Sequence, residues 1–405
     1  MSQSLANESS PSKPPSGRLL SLDALRGFDM FWIVGAENIV EALHGVNQSG
    51  PVNLLASQLQ HKAWEGVAFY DLIFPLFVFI VGVSLVFSLS KTIEQHGRAT
   101  AYRRVVTRGV IMLLLGIFYY GGFAGGWEKV RLMGVLQRIA ICYLAAGIIF
   151  CTFKLRGLIA CCVALLVGYW ALMALVPIRD INLETKNMQR LSAQTGINDP
   201  RKLFNSTTTF VTGSFEEGRN LANHIDFQYL PFRKWDGHYD PEGLLSNLPA
   251  IGTCLLGVFA GLLLKSGNFS DQKKVAWLVG AGAACVLLGF FWGVKFPVIK
   301  KIWSSSYVLV AGGYASLFLG VFYQIIDVWK FQRWATPFVW IGVNPLTIYL
   351  AHNFVEFKDL ATRLAGGPVK VFFGSAGELV ITLIVMAMTF LLARFLYQRK
   401  IFLRL

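Results

Sequence analysis

The sequence lacks most of the marks that identify an enzyme at sight. It contains no Walker loop, no G-x-S-x-G elbow, no H-E-x-x-H and no long acidic cluster, so P-loop phosphoryl transfer, α/β-hydrolase chemistry and zincin chemistry have no support. Its six cysteines (Cys142, Cys151, Cys161, Cys162, Cys254, Cys285) all fall in or at the ends of apolar runs, with no CxxC or Cys/His spacing. That argues against a disulfide framework and against a zinc site, and no metal is expected. No internal repeat is evident. Charge is also scarce, at 15% of residues, and acidic charge scarcer still, with 23 Asp and Glu against 37 Lys and Arg.

Apolar residues are what the chain has in excess. They make up 54% of its 405 residues, for a mean hydropathy of +0.52, well outside the range of a soluble domain. Runs of the roughly 20 residues that cross a bilayer recur near 22–43, 67–90, 105–122, 132–152, 157–177, 244–264, 275–293, 306–326, 335–353 and 376–397. The expected fold is all-α, a polytopic transmembrane helical bundle of about ten helices. Lys and Arg in alternate short loops number 17 on one side and 9 on the other, so the positive-inside rule predicts both termini cytoplasmic. The net charge of +14 follows from that bias and from attraction of basic loops to anionic lipid; the lipid bilayer is an expected partner and nucleic acid is not.

The first 20 residues, with "MSQSLANESSPSKPPSG", have the composition of a disordered cytoplasmic segment. The helix that follows holds Asp23, Arg26 and Asp29 and has no small-residue cleavage site, so it is not a removable signal. Residues 178–243 break the rhythm of short loops. This long outer excursion carries Phe204, Phe210, Phe215, Phe227, Tyr229, Phe232, Trp235 and Tyr239 among many charges, which suits either sugar stacking or a loop packed on itself.

Ionisable groups within spans cost about 2.5–3.5 kcal/mol to insert, which makes them functional candidates. Asp23 and Arg26 sit three apart and can pair with each other. Glu37 and Asn38, near the outer end of the first helix, suit substrate binding or interfacial solvation. In "LQHKAWEGVAFYDLIFPLFVFIVG", residues 59–82, His61 is the candidate proton acceptor. Asp71 lies ten residues on, about 15 Å away if 61–71 is helical throughout; it would then not orient His61 but bind a substrate cation or hydroxyl, or pair with an arginine. In "WEKVRLMGVLQRIAICY", Arg131, Gln137 and Arg138 fit an anionic ligand or buried carboxylates. In "YDPEGLLSNLPAI", Asp240, Pro241 and Glu242 read as a helix start. Asn344, Tyr349 and His352 stud a helix expected to face a cavity rather than lipid.

Taken together these stretches resemble one family. "SLDALRGFDM", "HKAWEGVAFYDLIFPLFVFIVG", "EKVRLMGVLQRI", "YDPEGLLSNLPAI", "IWSSSYV" and "GVNPLTIYLAH" occur in the order found in the heparan-α-glucosaminide N-acetyltransferases and their bacterial relatives, over residues 21 to about 352. The resemblance implies that residues 21–405 form a single transmembrane acyltransferase domain. Its expected reaction moves the acetyl group of cytosolic acetyl-CoA to the amino group of glucosamine, or of a small glucosamine-containing saccharide, on the outer side. It implies His61 and Asp71 as catalytic residues and Glu37, Asn38, Trp64, Glu242, Asn344 and His352 as substrate-binding residues. Arg131, Gln137, Arg138, Arg104 and Arg108, with Arg98 and Arg103 nearby, would bind the cofactor. A homodimer and a bacterial inner membrane are further expectations, and ten spans would leave out the extra lumenal N-terminal part of lysosomal members. An amino-sugar transporter and a polysaccharide O-acetyltransferase are the rival readings.

Overall fold

The computed structural model describes residues 19–403; the segment expected to be disordered, save its last two residues, lies outside them. Among the described residues, seven helices are long and apolar enough to cross a membrane, and the chain is an integral membrane protein of all-α class. The elements run α1 (Leu20–Phe31), α2 (Glu37–Val46), α3 (Gly50–Gln58), α4 (Ile73–Tyr119), α5 (Val135–Thr152) and α6 (Leu155–Leu175). A cap follows, built from β1 (Ile178–Arg179), α7 (Thr185–Thr195), α8 (Pro200–Ser206), β2 (Phe210–Val211), β3 (Phe215–Glu216), β4 (Arg219–Asn220) and α9 (Leu221–Tyr229). The chain then returns to α10 (Asn247–Lys265), α11 (Asp271–Gly293), α12 (Ser305–Phe322), α13 (Thr336–Val343), α14 (Pro345–Phe354), α15 (Phe357–Ala361), α16 (Gly367–Phe373) and α17 (Gly377–Gln398).

Three departures separate seven helices from the ten expected spans. The runs at 67–90 and 105–122 are two helices joined across a kink at Gly97, with φ at +79°, so both spans are present within α4 although it counts once among the seven. The run at 22–43 is split by a π-helical turn, Trp32–Ala36, in which Gly35 takes φ +134°, a conformation open to glycine and costly for other residues. The run at 335–353 is interrupted between α13 and α14, where Pro345 has no N–H to continue the ladder.

The bundle closes on small residues. A Cβ on Gly82 of α4 would lie 2.0 Å from the Cys254 carbonyl of α10, and one on Gly257 would lie 1.9 Å from the Phe79 carbonyl. Gly27 of α1 and Gly342 of α13 are locked in the same reciprocal way, at 1.7 and 1.8 Å from the Phe338 and Asp23 carbonyls. Backbones therefore touch, as small residues allow in membrane helix pairs. Around these contacts one apolar core joins α4, α5, α6, α10 and α12, and a second joins α1, α4, α10, α11, α12 and α13.

The 178–243 excursion is a folded cap with its own core of Ile181, Leu183, Met188, Leu203, Phe204, Phe227 and Tyr239. Three of the eight aromatic residues noted in its sequence are thus consumed by this core and a fourth, Phe215, packs on Phe296, while Phe210, Phe232, Tyr229 and Trp235 are exposed. Asp226 of α9 is fully buried, with its carboxylate accepting from the backbone N–H of Leu244 at 2.8 Å and of Asp240 at 3.4 Å. Burial outweighs these donors and pushes its pKa up to about 7, with the Asp240 charge adding to the rise. Because the folded value exceeds the unfolded one of about 3.9, Asp226 contributes stability that is whole below that value and is lost as pH rises through about 7. Buried His224 shifts the opposite way, down to about 4, so the wild-type curve mixes both. The readable quantity is the difference in apparent melting temperature between Asp226→Asn and wild type, which should move in favour of the variant between pH 4 and 7. A difference that is flat across that range would refute the assignment.

Candidate active site

His61 and Asp71 meet because residues 61–68 are not helical. The chain after α3 turns back on itself: Gly66, at φ +103°, donates its N–H to the Val298 carbonyl at 2.9 Å, and Glu65 bridges Ile299. A short 3-10 turn, Phe69–Leu72, then leads into α4. The expected 15 Å separation does not arise, and the His61 Nδ1 lies 2.8 Å from the Asp71 Oδ1. Asp71 is fully buried, whereas the His61 side chain is 53% exposed. The second carboxylate oxygen of Asp71 accepts from the backbone N–H groups of Ala68 at 3.0 Å and Lys62 at 3.2 Å. A carboxylate held this way takes the Nδ1–H of a neutral imidazole, leaving Nε2 as the ring's acceptor. The Tyr70 ring lies against the imidazole, with centroids 4.8 Å apart.

The loop between α11 and α12 supplies a residue that the sequence did not single out for the site. Lys300 places its Nζ 3.3 Å from Asp71 Oδ1, 2.9 Å from His61 Nδ1 and 3.3 Å from Nε2. Burial lowers the Lys300 pKa, and the Asp71 carboxylate opposes that fall. The sequence signal was the Lys300–Lys301 pair just before "IWSSSYV", counted there only as loop charge. Lys301 turns to the cap, pairing with Glu217 at 2.6 Å and Asp236 at 3.3 Å.

His61, Tyr70 and Lys300 border one end of a cavity of about 520 Å³. Its wall follows one face of α4 through Ile73, Phe74, Phe77, Val81, Ser84, Leu85 and Ser88, a run of about 22 Å at helical rise. His61, Tyr70, Glu242 and Lys300 line it near the start of α4; Arg26, Arg104 and Arg108 line it further along. Arg104 donates to Thr92 Oγ1 at 2.9 Å, and the Arg108 guanidinium lies 5.1 Å from the Tyr143 ring centre. Arg98 and Arg103 are not among the lining residues.

Most of the other candidate residues are placed elsewhere, with partners of their own. Arg131 is buried between the rings of Tyr120 and Trp235, makes a forked pair with Asp240 at 2.7 and 3.0 Å, and reaches Glu242 at 2.7 Å. Gln137 donates to the Arg131 carbonyl at 3.3 Å; Arg138 donates to the Pro241 carbonyl at 3.1 Å and to Ser246, and lies over Trp303. This group joins the start of α5 to the cap's return and holds Glu242 at the cavity. Trp64 is similarly tied, donating its indole N–H to the Phe215 carbonyl at 2.8 Å. Glu37 stands beside Tyr70, Asn38 is exposed, and neither lines the cavity. Asn344 holds the C-terminal segment, donating to the Ile401 carbonyl at 2.9 Å and accepting from the Leu403 N–H at 3.3 Å. His352 meets Thr389 at 2.8 Å, outside the cavity.

Comparison with known proteins agrees in direction. The family described as "Heparan-alpha-glucosaminide N-acetyltransferase, catalytic" matches residues 18–200, a stretch that includes His61 and Asp71. Two curated proteins are similar along most of the chain. The heparan-alpha-glucosaminide N-acetyltransferase of Mus musculus is 27% identical over 382 residues, covering 85% of this chain and 56% of its own length. That of Homo sapiens is 26% identical over 430 residues, covering 96% and 60% respectively. The chain therefore spans less than two thirds of the length of these relatives.

Proposed function

The chain is a relative of the heparan-α-glucosaminide N-acetyltransferases, and from that premise we propose that it is a transmembrane N-acetyltransferase that uses acetyl-CoA. The acceptor is the amino group of glucosamine or of a small saccharide containing it. The observation that carries this reading is the cavity that joins an Asp-oriented histidine at one end to two arginines at the other. Such a passage brings a thioester and an amine together from opposite ends, with charge provided only where each polar group lies.

In this reading Arg104 and Arg108 face the phosphates of the donor, and the apolar face of α4 takes the pantetheine arm. Glu242 attracts the acceptor's ammonium, and the amine attacks after losing one proton to solvent. As its nitrogen bonds to the acetyl carbon, His61 Nε2 takes the second proton and the C–S bond breaks, its electron pair leaving on the thiolate. Asp71 stabilises the imidazolium that results. If His61 Nε2 itself attacks first, an acetyl-imidazolium carries the group before the amine takes it. The two routes differ in one observable: labelled acetyl-CoA without acceptor labels the protein only in the second.

The test is acetyl transfer by the purified protein in nanodiscs, with labelled acetyl-CoA and a panel of glucosamine, glucose and N-acetylglucosamine. Transfer to glucosamine alone is the expected result. Transfer to glucose as well would replace the amine with a hydroxyl acceptor. No transfer and no thermal stabilisation by CoA, with uptake of glucosamine into proteoliposomes, would replace the enzyme with a transporter.

A further inference from the structure

Lys300 remains without a task in that reaction, although it is the lysine that stands within hydrogen-bond distance of His61. Its backbone is fixed on both sides. Val298 and Ile299 are joined to the 65–66 segment, the Ile299 N–H donates to Ser304 Oγ at 3.0 Å, the Ser304 N–H returns to the Ile299 carbonyl at 3.1 Å, and the Trp303 N–H donates to the Lys300 carbonyl at 2.9 Å. The side chain is 22% exposed and borders the cavity. Its neighbour Lys301 spends its charge on two cap carboxylates, whereas among the described residues the ion pair of Lys300 is with Asp71, which His61 already uses. A salt bridge alone would be served by Asp71 without the ammonium also standing 2.9 Å from His61 Nδ1 and 3.3 Å from Nε2, the ring's acceptor nitrogen.

We propose that Lys300 is a further catalytic residue, whose ammonium donates a hydrogen bond to the acetyl oxygen while negative charge gathers on it. This rests on the acetyltransferase reading. As the nucleophilic nitrogen bonds to the carbonyl carbon, the carbon–oxygen π pair moves onto oxygen. When the C–S bond breaks, the pair on oxygen re-forms the double bond and the C–S pair leaves on sulfur. Lys300 gives a hydrogen bond and no proton, so it ends each turnover as it began. With Nζ 3.3 Å from Nε2, a carbonyl attacked at or beside that nitrogen can turn its oxygen to the about 2.7–3.1 Å that such stabilisation requires of a donor. The donor is already in place, so little reorganisation is needed when charge develops. The same ammonium serves both steps if the acetyl group passes through His61.

The experiment compares Lys300→Met and Lys300→Arg with wild type in the nanodisc assay. Lys300→Met removes the charge at similar volume and should lower kcat by about 10²–10³-fold, with the KM for glucosamine little changed and CoA still stabilising the protein. Lys300→Arg keeps the charge and donors and should recover at least part of that loss. The titratable groups facing Lys300 are His61, Asp71, Glu242, Glu37 and Tyr70. Since the ammonium must be protonated, wild-type transfer should fall at high pH below the ordinary lysine range, and Lys300→Arg should lose that limb. A cycle with Asp71→Asn separates direct from relayed action: Lys300→Met should reduce transfer further in that background. A kcat for Lys300→Met within about threefold of wild type, a basic limb that persists in Lys300→Arg, or a silent Lys300→Met in Asp71→Asn each overturns the proposal. Absence of transfer by wild type takes down the acetyltransferase reading with it, whereas an active Lys300→Met leaves that reading intact.

Discussion

Asp71→Asn should reduce acetyl transfer by roughly 10³–10⁴-fold, the scale seen when a histidine is held in its wrong tautomer. The direction follows from the hydrogen bonds of the carboxylate. One oxygen accepts two backbone N–H groups, from Ala68 and Lys62, and an amide NH₂ cannot take that place. Asparagine is therefore forced to put its carbonyl there and its NH₂ against His61 Nδ1. That nitrogen must then accept, which moves the ring proton to Nε2 and removes the lone pair from the cavity side. His61→Ala, which deletes the proton acceptor outright, should lower transfer by at least the 10²–10⁴-fold typical of positioned acid–base catalysis. The two losses should not add in the double variant, because both act through one imidazole.

The measurement is the single-turnover rate with labelled acetyl-CoA and glucosamine, together with thermal stabilisation by CoA. Each variant should keep the stabilisation, since Arg104 and Arg108 line the cavity well away from the pair. Transfer by Asp71→Asn within about tenfold of wild type would show that the tautomer of His61 does not matter, and the general-base assignment would fall with it. A normal rate in His61→Ala would move the chemistry to another residue.

Much of the membrane architecture was legible in the sequence, because length and hydropathy alone set where a helix can cross a bilayer. The runs at 132–152, 157–177, 244–264 and 275–293 reappear as Val135–Thr152, Leu155–Leu175, Asn247–Lys265 and Asp271–Gly293. What hydropathy does not carry is backbone geometry at single residues. Gly35 lies within an apolar run yet breaks its helix, and Gly66 turns the segment that brings His61 to Asp71. The distance between those two residues was therefore misjudged by assuming a helix, although both had been named. Long-range pairing was illegible for a different reason. Lys300 reaches His61 across 239 positions, and Arg131 reaches Asp240 across 109. No local pattern marks either contact. Buried arginines read equally well as ligand-binding or as partners of carboxylates, and only the fold shows Arg131 and Arg138 with partners already beside them.

Arg131→Ala should be strongly destabilising. Removing one partner of a buried ion pair costs about 3–5 kcal/mol, because the remaining charge is left without compensation. Here two carboxylates depend on the same guanidinium: Asp240 through a fork and Glu242 through a single bond. Burial already raises the pKa of Glu242, and the neighbouring Asp240 charge adds to that, so without Arg131 Glu242 is pushed further toward protonation. The rings of Tyr120 and Trp235 would also lose the plane packed between them, at 4.5 and 4.8 Å. Arg131→Lys keeps the charge but not the fork or the stacking plane, and should recover only part of the loss. Apparent melting temperature and tryptic cleavage within 178–243 would read this directly: Arg131→Ala should melt earlier and expose the cap to cleavage, while apolar spans such as α11 stay protected by the bilayer. Because Glu242 borders the cavity beside His61, transfer should decline with the cap, and raising the glucosamine concentration should offset the decline in Arg131→Lys. A cap that resists trypsin as well in Arg131→Ala as in wild type would mean that the apolar contacts of Phe296, Ile299 and Ile302 with Leu221 and Ala222 are sufficient to seat it, and that the buried charges are not what holds Glu242 at the cavity.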